Sequence, residues 1–318
     1  MKKFDVVALG ELLIDFTENG ISRNGNLLLE ANPGGAPCNV LAMLARLGKT
    51  TAFIGKVGND RFGKVLSETI KDCGICADGL VFDDIVHTTL AFVHKKTDGD
   101  RDFSFYREPG ADMMLRKCEI DEEIIKSAKI FHFGTLSSTH EGVREATRYG
   151  VDIAKESGAL ISFDPNLRPP LWDSLEDARR EIEYGFEKCD ILKISDNEIE
   201  FMTGLTDYDK AVRELMEKYD IKLAFATLGK NGSRAYYGDL KAECRGFKVN
   251  TIETTGAGDT FCGSALNFIL EHDINALTEN DLKELLAFAN AAAAIITTRR
   301  GALKVMPEKK EILDLVRR

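Results

Sequence analysis

The chain has 318 residues with 44% hydrophobic and 30% charged side chains, a composition typical of globular proteins. Its formal net charge of -10 and its pI near 5.2 argue against broad binding to nucleic acids or anionic membranes, because both need a basic protein face. We predict one domain over residues 1–318 without membrane spans, since apolar runs such as "AAAAII" (291–296) are far too short to cross a bilayer. Asp5 and Glu11 interrupt any signal-peptide core, so a cytoplasmic protein is expected.

Short apolar runs and amphipathic stretches alternate along most of the chain. The amphipathic stretches predict helices over 38–48, 142–158 and 211–220. The apolar runs predict buried strands at "VVALG" (6–10), "TAFIG" (51–55), "IFHFG" (130–134), "LISFD" (160–164), "ILKIS" (191–195) and "LAFATLG" (223–229). Continuously apolar strands alternating with helices indicate an α/β fold, in which a mostly parallel sheet is covered by helices on both faces.

Two segments show hairpin signals instead. Residues 88–107 alternate with period two around Asp98-Gly99, and residues 16–31 contain a turn candidate at Asn24-Gly25 before "NLLLE". We predict a small β-sheet lid inserted at about 16–33 and 88–110. Because so small a sheet cannot bury much surface alone, the lid is expected to cover a ligand, a partner chain or both.

Two familiar phosphate-binding fingerprints are not matched. "GNDRFGKV" (58–65) has the glycine and lysine spacing of a P-loop, but Val65 lacks the hydroxyl that binds magnesium, so a turn followed by a helix is predicted there. Gly10 stands alone after the first strand, without the GxGxxG of dinucleotide-binding proteins. A nicotinamide oxidoreductase is therefore an alternative that only the general α/β pattern supports.

The segment "TTGAGDTF" (254–261) precedes a helical pattern of apolar residues, "FCGSALNFILEH". Gly256, Ala257 and Gly258 therefore lie at a helix N-terminus, where free backbone N–H groups and the helix dipole attract an anion and small residues let it approach. Asp259 falls in the first turn, where it either compensates the dipole or takes part in chemistry.

A second glycine-containing loop lies near the N-terminus of the chain. In "NPGGAPCNVLAMLARLG", Gly34 and Gly35 are followed by Pro37, which suits the first turn of a helix. Asn39 lies inside that turn, where its side chain can donate to a polar ligand. The alternative is an ordinary helix start with no ligand.

These two loops resemble the two signatures of the ribokinase-like (PfkB) carbohydrate kinases. "GGAPCN", followed by Gly48 and Gly58, is similar to the first signature, and "TTGAGD" is similar to the second. Further stretches look like family landmarks in the right order, so that the resemblance covers nearly the whole chain: "DPNLRPPLW" (164–172), "ISDNEIEFMTG" (194–204), "TLGKNGS" (227–233) and "FANAAAAIITTRRGAL" (288–303). The resemblance implies a ribokinase-like three-layer sandwich with a central mostly parallel sheet and a β-sheet lid.

A finer likeness points to bacterial fructokinases. "GELLIDF", "GGAPCNV" and "FSFYREPGADMML" (103–115) carry it, whereas ribokinases tend to show GGKGAN at the paired glycines. The resemblance implies ATP-dependent phosphorylation of the primary hydroxyl of a ketose, fructose to fructose 6-phosphate, with Asp259 as general base and Gly256-Ala257-Gly258 as the anion hole. Kinases for 2-keto-3-deoxygluconate or another ketose share much of this framework and are the nearest alternative. A non-catalytic sugar sensor on the same fold is an alternative from a different class.

The resemblance also implies which residues bind the two substrates. Arg107 and Arg168 are expected near the sugar or the phosphates, with a solvated or ion-paired side chain as the alternative for each. Phe105 is expected to contact the sugar or pack within the lid, and Asn290 to contact adenine or serve as a core-edge amide. The sugar-binding residues are Asp15, Gly34, Gly35, Asn39, Phe105, Arg107 and Arg168, and the nucleotide-binding residues are Ser195, Glu198, Thr227, Gly229, Gly232 and Asn290.

Cations and a partner chain complete these expectations. Mg²⁺ is expected to be bound mainly by ATP, with Glu198 near it, although this chain has Ser195-x-x-Glu198 where the family often has Asn-x-x-Glu. Glu253 and Thr255 are candidates for a monovalent cation site, for potassium, although relatives have Asp where this chain has Glu253. A homodimer formed through the lid is expected, because the apolar faces of the lid strands would otherwise contact water.

Overall fold

The computed structural model describes residues 2–95 and 101–317, and side chains for 2–93 and 104–317. Its strands are β1 (Phe4–Leu9), β2 (Leu13–Ile21), β3 (Leu27–Gly34), β4 (Thr51–Gly58), β5 (Ile75–Asp83), β6 (Leu90–Lys95), β7 (Arg101–Tyr106), β8 (Ala128–Gly134), β9 (Leu160–Asp164), β10 (Ile191–Ser195), β11 (Leu223–Thr227), β12 (Ser233–Tyr237) and β13 (Leu240–Cys244). Its α-helices are α1 (Ala36–Arg46), α2 (Arg61–Asp72), α3 (Glu122–Lys126), α4 (Glu141–Glu156), α5 (Leu175–Lys188), α6 (Asp196–Thr203), α7 (Tyr208–Tyr219), α8 (Ala257–Glu271), α9 (Glu279–Ile296) and α10 (Lys309–Val316).

Nine strands form the central sheet, in the order β13-β12-β11-β10-β9-β8-β1-β4-β5. All neighbours pair in parallel except β11 with β12 and β12 with β13, which are antiparallel. The six predicted strands are all present, and "LAFATLG" is shortened because the chain leaves the sheet after Thr227 and forms a 3-10 turn over Gly229–Asn231. The mostly parallel α/β sheet is therefore confirmed.

Helices cover both faces of this sheet, which gives three layers. In β1, Val6 and Ala8 pack into a core shared with α1, α8 and α9. The alternate residues Val7 and Leu9 pack into a second core shared with α4, α5 and α7. Because successive side chains of a strand point to opposite faces, an uninterrupted apolar run supplies both cores at once.

Four strands form a separate sheet in the order β3-β2-β6-β7, which is the predicted lid. The Asn24-Gly25 turn joins β2 to β3, with Gly25 at φ 81°, whereas the Asp98-Gly99 turn lies outside the described residues. Phe16 anchors the lid: its ring stacks on Phe92 at 5.0 Å and meets Phe62 of α2 edge-on at 5.7 Å. In the same sheet, β2 pairs in parallel with β6, so the two hairpins form one surface.

Two further expectations can be compared with the structure. At "GNDRFGKV", Asp60 caps α2 by accepting a hydrogen bond from the backbone N–H of Gly63 at 2.8 Å, so the predicted turn and helix are confirmed. Within the described residues, the longest apolar helical stretches fall short of what is needed to cross a membrane.

Candidate active site

A cavity of about 1170 Å³ opens at the carboxyl ends of β9, β10 and β11, beside the N-terminus of α8. Ligands of open α/β sheets bind at this edge, where strand ends and helix N-termini meet. The cavity is lined by many of the residues that the sequence singled out: Arg168, Ser195, Glu198, Thr227, Gly229, Gly232, Ala257, Gly258, Asp259 and Asn290.

Helix α8 presents its N-terminus to this cavity. Gly256 is the N-cap in a left-handed conformation, with φ 75°, and no side chain of the described residues caps the helix. A side chain at Gly256 would be strained by that backbone conformation and would lie 3.0 Å from the Ala302 side chain. The backbone N–H groups of this turn are thus presented to the cavity at the positive end of the helix dipole.

Asp259 follows in the first turn of α8 and is half-buried. Its Oδ2 accepts a hydrogen bond of 2.7 Å from Nδ2 of Asn39, which α1 supplies. Burial raises the pKa of Asp259 above its ordinary value, while the hydrogen bond from Asn39 and the charges of Lys193 and Arg168 act in the opposite direction. A carboxylate with a raised pKa suits a base that must take a proton near neutral pH.

The paired glycines position Asn39. A Cβ built on Gly35, which has φ 131°, would lie 2.3 Å from the backbone oxygen of Glu11, so only glycine fits. The side chain of Glu11 then accepts a hydrogen bond from the backbone N–H of Ala36 at 2.8 Å. The Oδ1 of Asn39 is buried and has no hydrogen-bond partner among the described residues, which leaves an acceptor for a ligand.

Asp15 lies where the lid joins the sheet. In β2 it is opposite Asn32 of β3 and Ala91 of β6, and Phe105 of β7 is opposite Ala91 in turn. A Cβ on Gly34 would lie 2.4 Å from Oδ2 of Asp15, so the carboxylate occupies the space that this glycine leaves free. The structure therefore groups Asp15 with the paired glycines at the base of the lid.

The two arginines behave differently. Arg107 is buried in an ion pair with Asp112, at 2.7 Å, and it also donates to Oγ1 of Thr139 and to the backbone oxygen of Leu136. The ion-paired alternative thus describes Arg107 in this structure, and its expected contact with the sugar or the phosphates stays a prediction. Arg168 lines the cavity, and its charge lowers the pKa of Asp259.

The nucleotide-side residues surround the end of β11. Gly232 has φ 103°, and a Cβ there would lie 2.1 Å from the backbone oxygen of Cys244, so this turn packs tightly against β13. Asn290 of α9 accepts from Oγ of Ser233 at 2.8 Å and donates to the same Cys244 oxygen at 3.0 Å. Its amide therefore braces the wall of the cavity, as the core-edge alternative describes, while the residue still borders the cavity.

Glu198 stands at the N-terminus of α6. One carboxylate oxygen accepts from the backbone N–H of Ser195 and the other from that of Leu167, both at 2.8 Å. Although burial raises the pKa of Glu198, Lys193 and these hydrogen bonds outweigh burial and lower it, so the group is ionised at neutral pH. With both oxygens already accepting, Glu198 fits a place near a metal better than direct ligation.

Glu253 and Thr255 lie together in the loop before α8. One oxygen of Glu253 accepts from Oγ1 of Thr255 at 2.7 Å, and the other accepts from the backbone N–H of Gly301 at 3.3 Å. The side chain of Glu253 therefore links this loop to the segment that follows α9.

Sequence reasoning missed several polar residues of the site. Lys193 and Asp164 are buried and form an ion pair of 3.0 Å at the ends of β10 and β9. Asn166, with φ 45°, and Lys193 both line the cavity. The sequence did contain a signal for this ion pair, because "ILKIS" places a lysine inside an apolar strand. A buried charge needs a partner, and the Asp that ends "LISFD" supplies one.

Comparison with known proteins agrees with this geometry. The sequence model described as pfkB family carbohydrate kinase matches residues 3–309. The chain belongs to this family. A probable fructokinase-2 of Arabidopsis thaliana is 43% identical to this pfkB-family chain over 314 residues, which cover 98% of this chain and 95% of the plant protein.

Solved structures of similar proteins share the fold. A fructokinase from Xylella fastidiosa with bound ATP superposes on this pfkB-family chain with a TM-score of 0.90 and 31% identity, covering 100% of this chain and 99% of that one. A Vibrio cholerae O395 fructokinase, in a form with fructose, ADP and calcium ion bound, superposes with a TM-score of 0.88 and 28% identity, covering 98% and 99% of the two chains. The ribokinase-like sandwich with a small separate lid is thereby confirmed.

Proposed function

We propose that this pfkB-family enzyme transfers the γ-phosphoryl group of ATP to the primary hydroxyl of fructose, giving fructose 6-phosphate and ADP. The observation that carries the proposal is the half-buried Asp259 in the first turn of α8, held by Asn39 beside uncapped backbone N–H groups. The fructokinases that are similar over nearly the full chain support fructose as the acceptor and ATP as the donor.

Asp259 acts as the general base in this reaction. It accepts the proton of the primary hydroxyl while the hydroxyl oxygen bonds to the γ-phosphorus and the bond from that phosphorus to the bridging oxygen of ADP breaks. The amides of Gly256, Ala257 and Gly258 stabilise the negative charge on the transferred group. Phosphoryl transfer depends mainly on positioning and charge stabilisation, and a fixed helix N-terminus supplies both.

The two substrates meet at Asp259 from opposite sides. Fructose binds between the base of the lid and α1, with Asp15 accepting from its hydroxyls and the free Oδ1 of Asn39 accepting another. The nucleotide lies along the cavity between Thr227, the turn at Gly229–Gly232 and Asn290. ATP is the donor, so we place the enzyme in the cytoplasm, where ATP is abundant.

Mg²⁺ would reach the site on the phosphates of ATP and supply charge neutralisation during transfer. Glu198 fits a role near the ion, through water, because its two oxygens already accept backbone hydrogen bonds. Glu253 and Thr255, with neighbouring backbone oxygens, would hold a monovalent cation such as potassium beside the anion hole. Their oxygen donors suit such an ion, and their contact is present in the structure.

The lid supports a homodimer. Ile21, Leu27, Leu28 and Leu29 of β2 and β3 are 63%, 52%, 45% and 39% exposed, and we call these four apolar side chains, which lie on both faces of the lid, the ribbon. A second copy of the chain, placing the same ribbon against this one, would bury these side chains. Light scattering at micromolar protein should give twice the mass of the chain, and a monomeric mass would contradict the dimer.

A panel of acceptors tests the function. Purified enzyme with MgATP is offered fructose, glucose, ribose and 2-keto-3-deoxygluconate, with release of ADP as the readout and a reaction without sugar as the control. We expect the highest kcat/KM with fructose. A strong preference for the acidic sugar, whose carboxylate Arg168 would then bind, rejects fructose. Binding of fructose without any release of ADP would instead indicate a sugar sensor.

A further inference from the structure

A buried lysine lies directly beneath the anion hole. Lys193, at the end of β10, is 6% exposed, and its Nζ lies 3.0 and 3.1 Å from the two carboxylate oxygens of Asp164. A Cβ built on Gly258 would come within 3.2 Å of the same Nζ. The space that Gly258 leaves free is therefore filled by an ammonium group, which faces the turn that would hold the transferred phosphoryl group.

This ammonium lies near three carboxylates, those of Asp164, Glu198 and Asp259. Burial alone would lower the pKa of Lys193, but Asp164, Glu198 and Asp259 together outweigh burial and raise it, so the group stays charged at neutral pH. The same charge lowers the pKa of Asp259, against the effect of burial. The positive charge of Lys193 thus acts on the proposed base, Asp259, and lies close to the proposed anion hole.

We propose that Lys193 is a positioning residue for phosphoryl transfer, anchored by Asp164, whose fixed positive charge supports the anion hole and keeps Asp259 in its proton-accepting form. The inference rests on the proposed kinase function and on the placement of Asp259 as base. It adds a full charge beside the amides of Gly256, Ala257 and Gly258, which are backbone dipoles, and preorganised charge of this kind stabilises developing negative charge without reorganisation.

A second buried lysine offers a matched control. Lys56 of β4 is 4% exposed and is paired with Asp83 at 3.1 Å and with Glu119 at 2.8 Å. It lies on the other side of β1 in the sheet order and does not line the large cavity. If Lys193 serves only the structure, its replacement should affect the pH profile no more than replacement of Lys56 does. If Lys193 serves the reaction, only its replacement should change the profile.

The test compares Lys193→Gln with Lys56→Gln in the pH profile of kcat/KM for the best acceptor sugar. In Lys193→Gln, we expect the acid limb to move to higher pH by about one unit, because the base loses a neighbouring cation. We also expect kcat to fall about 10- to 100-fold, in line with the loss of one group that stabilises an anion. Lys56→Gln should leave the acid limb at its wild-type pH. Lys193→Arg keeps the positive charge, so its acid limb should also lie at the wild-type pH. An unmoved limb in Lys193→Gln overturns the proposal.

Loss of one member of a buried ion pair can unfold a protein, so a second variant removes both charges. Lys193→Gln/Asp164→Asn should fold, and because it lacks the ammonium its kcat should fall about 10- to 100-fold, as in Lys193→Gln; a folded double variant with the wild-type kcat overturns the proposal.

A binding measurement separates this proposal from the choice of sugar. With Mg²⁺, ADP plus aluminium fluoride mimics the transferred group, and Lys193→Gln should bind it about 10-fold more weakly while binding ADP alone as the wild type does. If Lys193→Gln loses the same affinity for ADP alone as for ADP with aluminium fluoride, the proposed role of Lys193 is wrong. If the difference is found but wild-type enzyme phosphorylates no sugar in the panel, the proposed acceptor fails and the role of Lys193 stands.

Discussion

The end of the central sheet and the lid are built in opposite ways. At the sheet, Lys193 is buried and Asp259 is half-buried. Asp259 is hydrogen-bonded to Asn39 and Lys193 is paired with Asp164, so the chemical groups are fixed before any substrate arrives. In the lid, the ribbon that includes Leu27 is largely exposed. From this contrast we expect changes in the core to act on the rate of the chemical step, and changes in the lid to act on sugar binding and on the proposed dimer.

The largest expected effect concerns the core. Asp259→Asn keeps the shape of the side chain but cannot accept the hydroxyl proton, so kcat should fall about 10²- to 10⁴-fold. Binding of ATP, measured by calorimetry, should remain close to that of the wild type. If the variant has a kcat near the wild-type value, Asp259 is not the general base, and the contrast between the sheet and the lid no longer holds.

The junction between sheet and lid should respond to pH. Burial, with a smaller contribution from Asp112, raises the pKa of Glu11 from 4.5 to about 7. Between these two values the folded state keeps a proton that the unfolded chain releases, so the free energy of unfolding falls as pH rises through this window, by about 3 kcal/mol at most.

Replacing Glu11 isolates this contribution. Glu11→Gln retains an oxygen to accept from the backbone N–H of Ala36 but does not titrate, so its free energy of unfolding should decline less between pH 4.5 and 7. Urea unfolding of both proteins across this range measures the difference. Parallel curves for variant and wild type would show that Glu11 is ionised in the folded protein throughout.

A methyl group at the base of the lid should affect sugar binding. Gly34→Ala places a Cβ 2.4 Å from Oδ2 of Asp15, so the carboxylate must move, and kcat/KM for the sugar should fall about 10- to 100-fold. Gly142→Ala is the control, because its Cβ meets nothing closer than 3.8 Å. Comparable losses in the two variants, or a loss confined to ATP binding, would argue against a sugar site at Asp15.

The smallest effect is expected on the outer lid. Leu27→Asp puts a charge into the exposed ribbon and should weaken the dimer at least about tenfold, or about 1.4 kcal/mol. Leu175→Asp is the matched control, since Leu27 and Leu175 are each 52% exposed but Leu175 lies on the core domain. Sedimentation across a range of concentrations measures the dissociation constant, and an identical constant for all three proteins would exclude this ribbon as the interface.

Local patterns of the chain were sufficient for some features and insufficient for others. The strands of the sheet were predictable because an apolar run such as "LISFD" serves two cores, and α8 because glycines precede a regular apolar pattern. An ion-paired Arg107 was one of the sequence alternatives, but its partner Asp112 was not identified. The ion pair of Lys193 with Asp164 was missed because it joins separate strands, although a lysine inside an apolar run indicates that a buried partner is needed. The parallel pairing of β2 with β6 was likewise inaccessible, since it joins hairpins more than one helix apart in the chain.

The hydrogen bond from Asn39 to Asp259 has a consequence for biosynthesis, because it joins residues that are 220 positions apart. During translation the first of these emerges long before the second, so a nascent chain can complete α1 without acquiring any catalytic competence. Incomplete products that end before α8 would carry Asn39 without Asp259. With Asp259 as the proposed base, activity would report on completion of the chain, and unfinished copies would transfer no phosphoryl group.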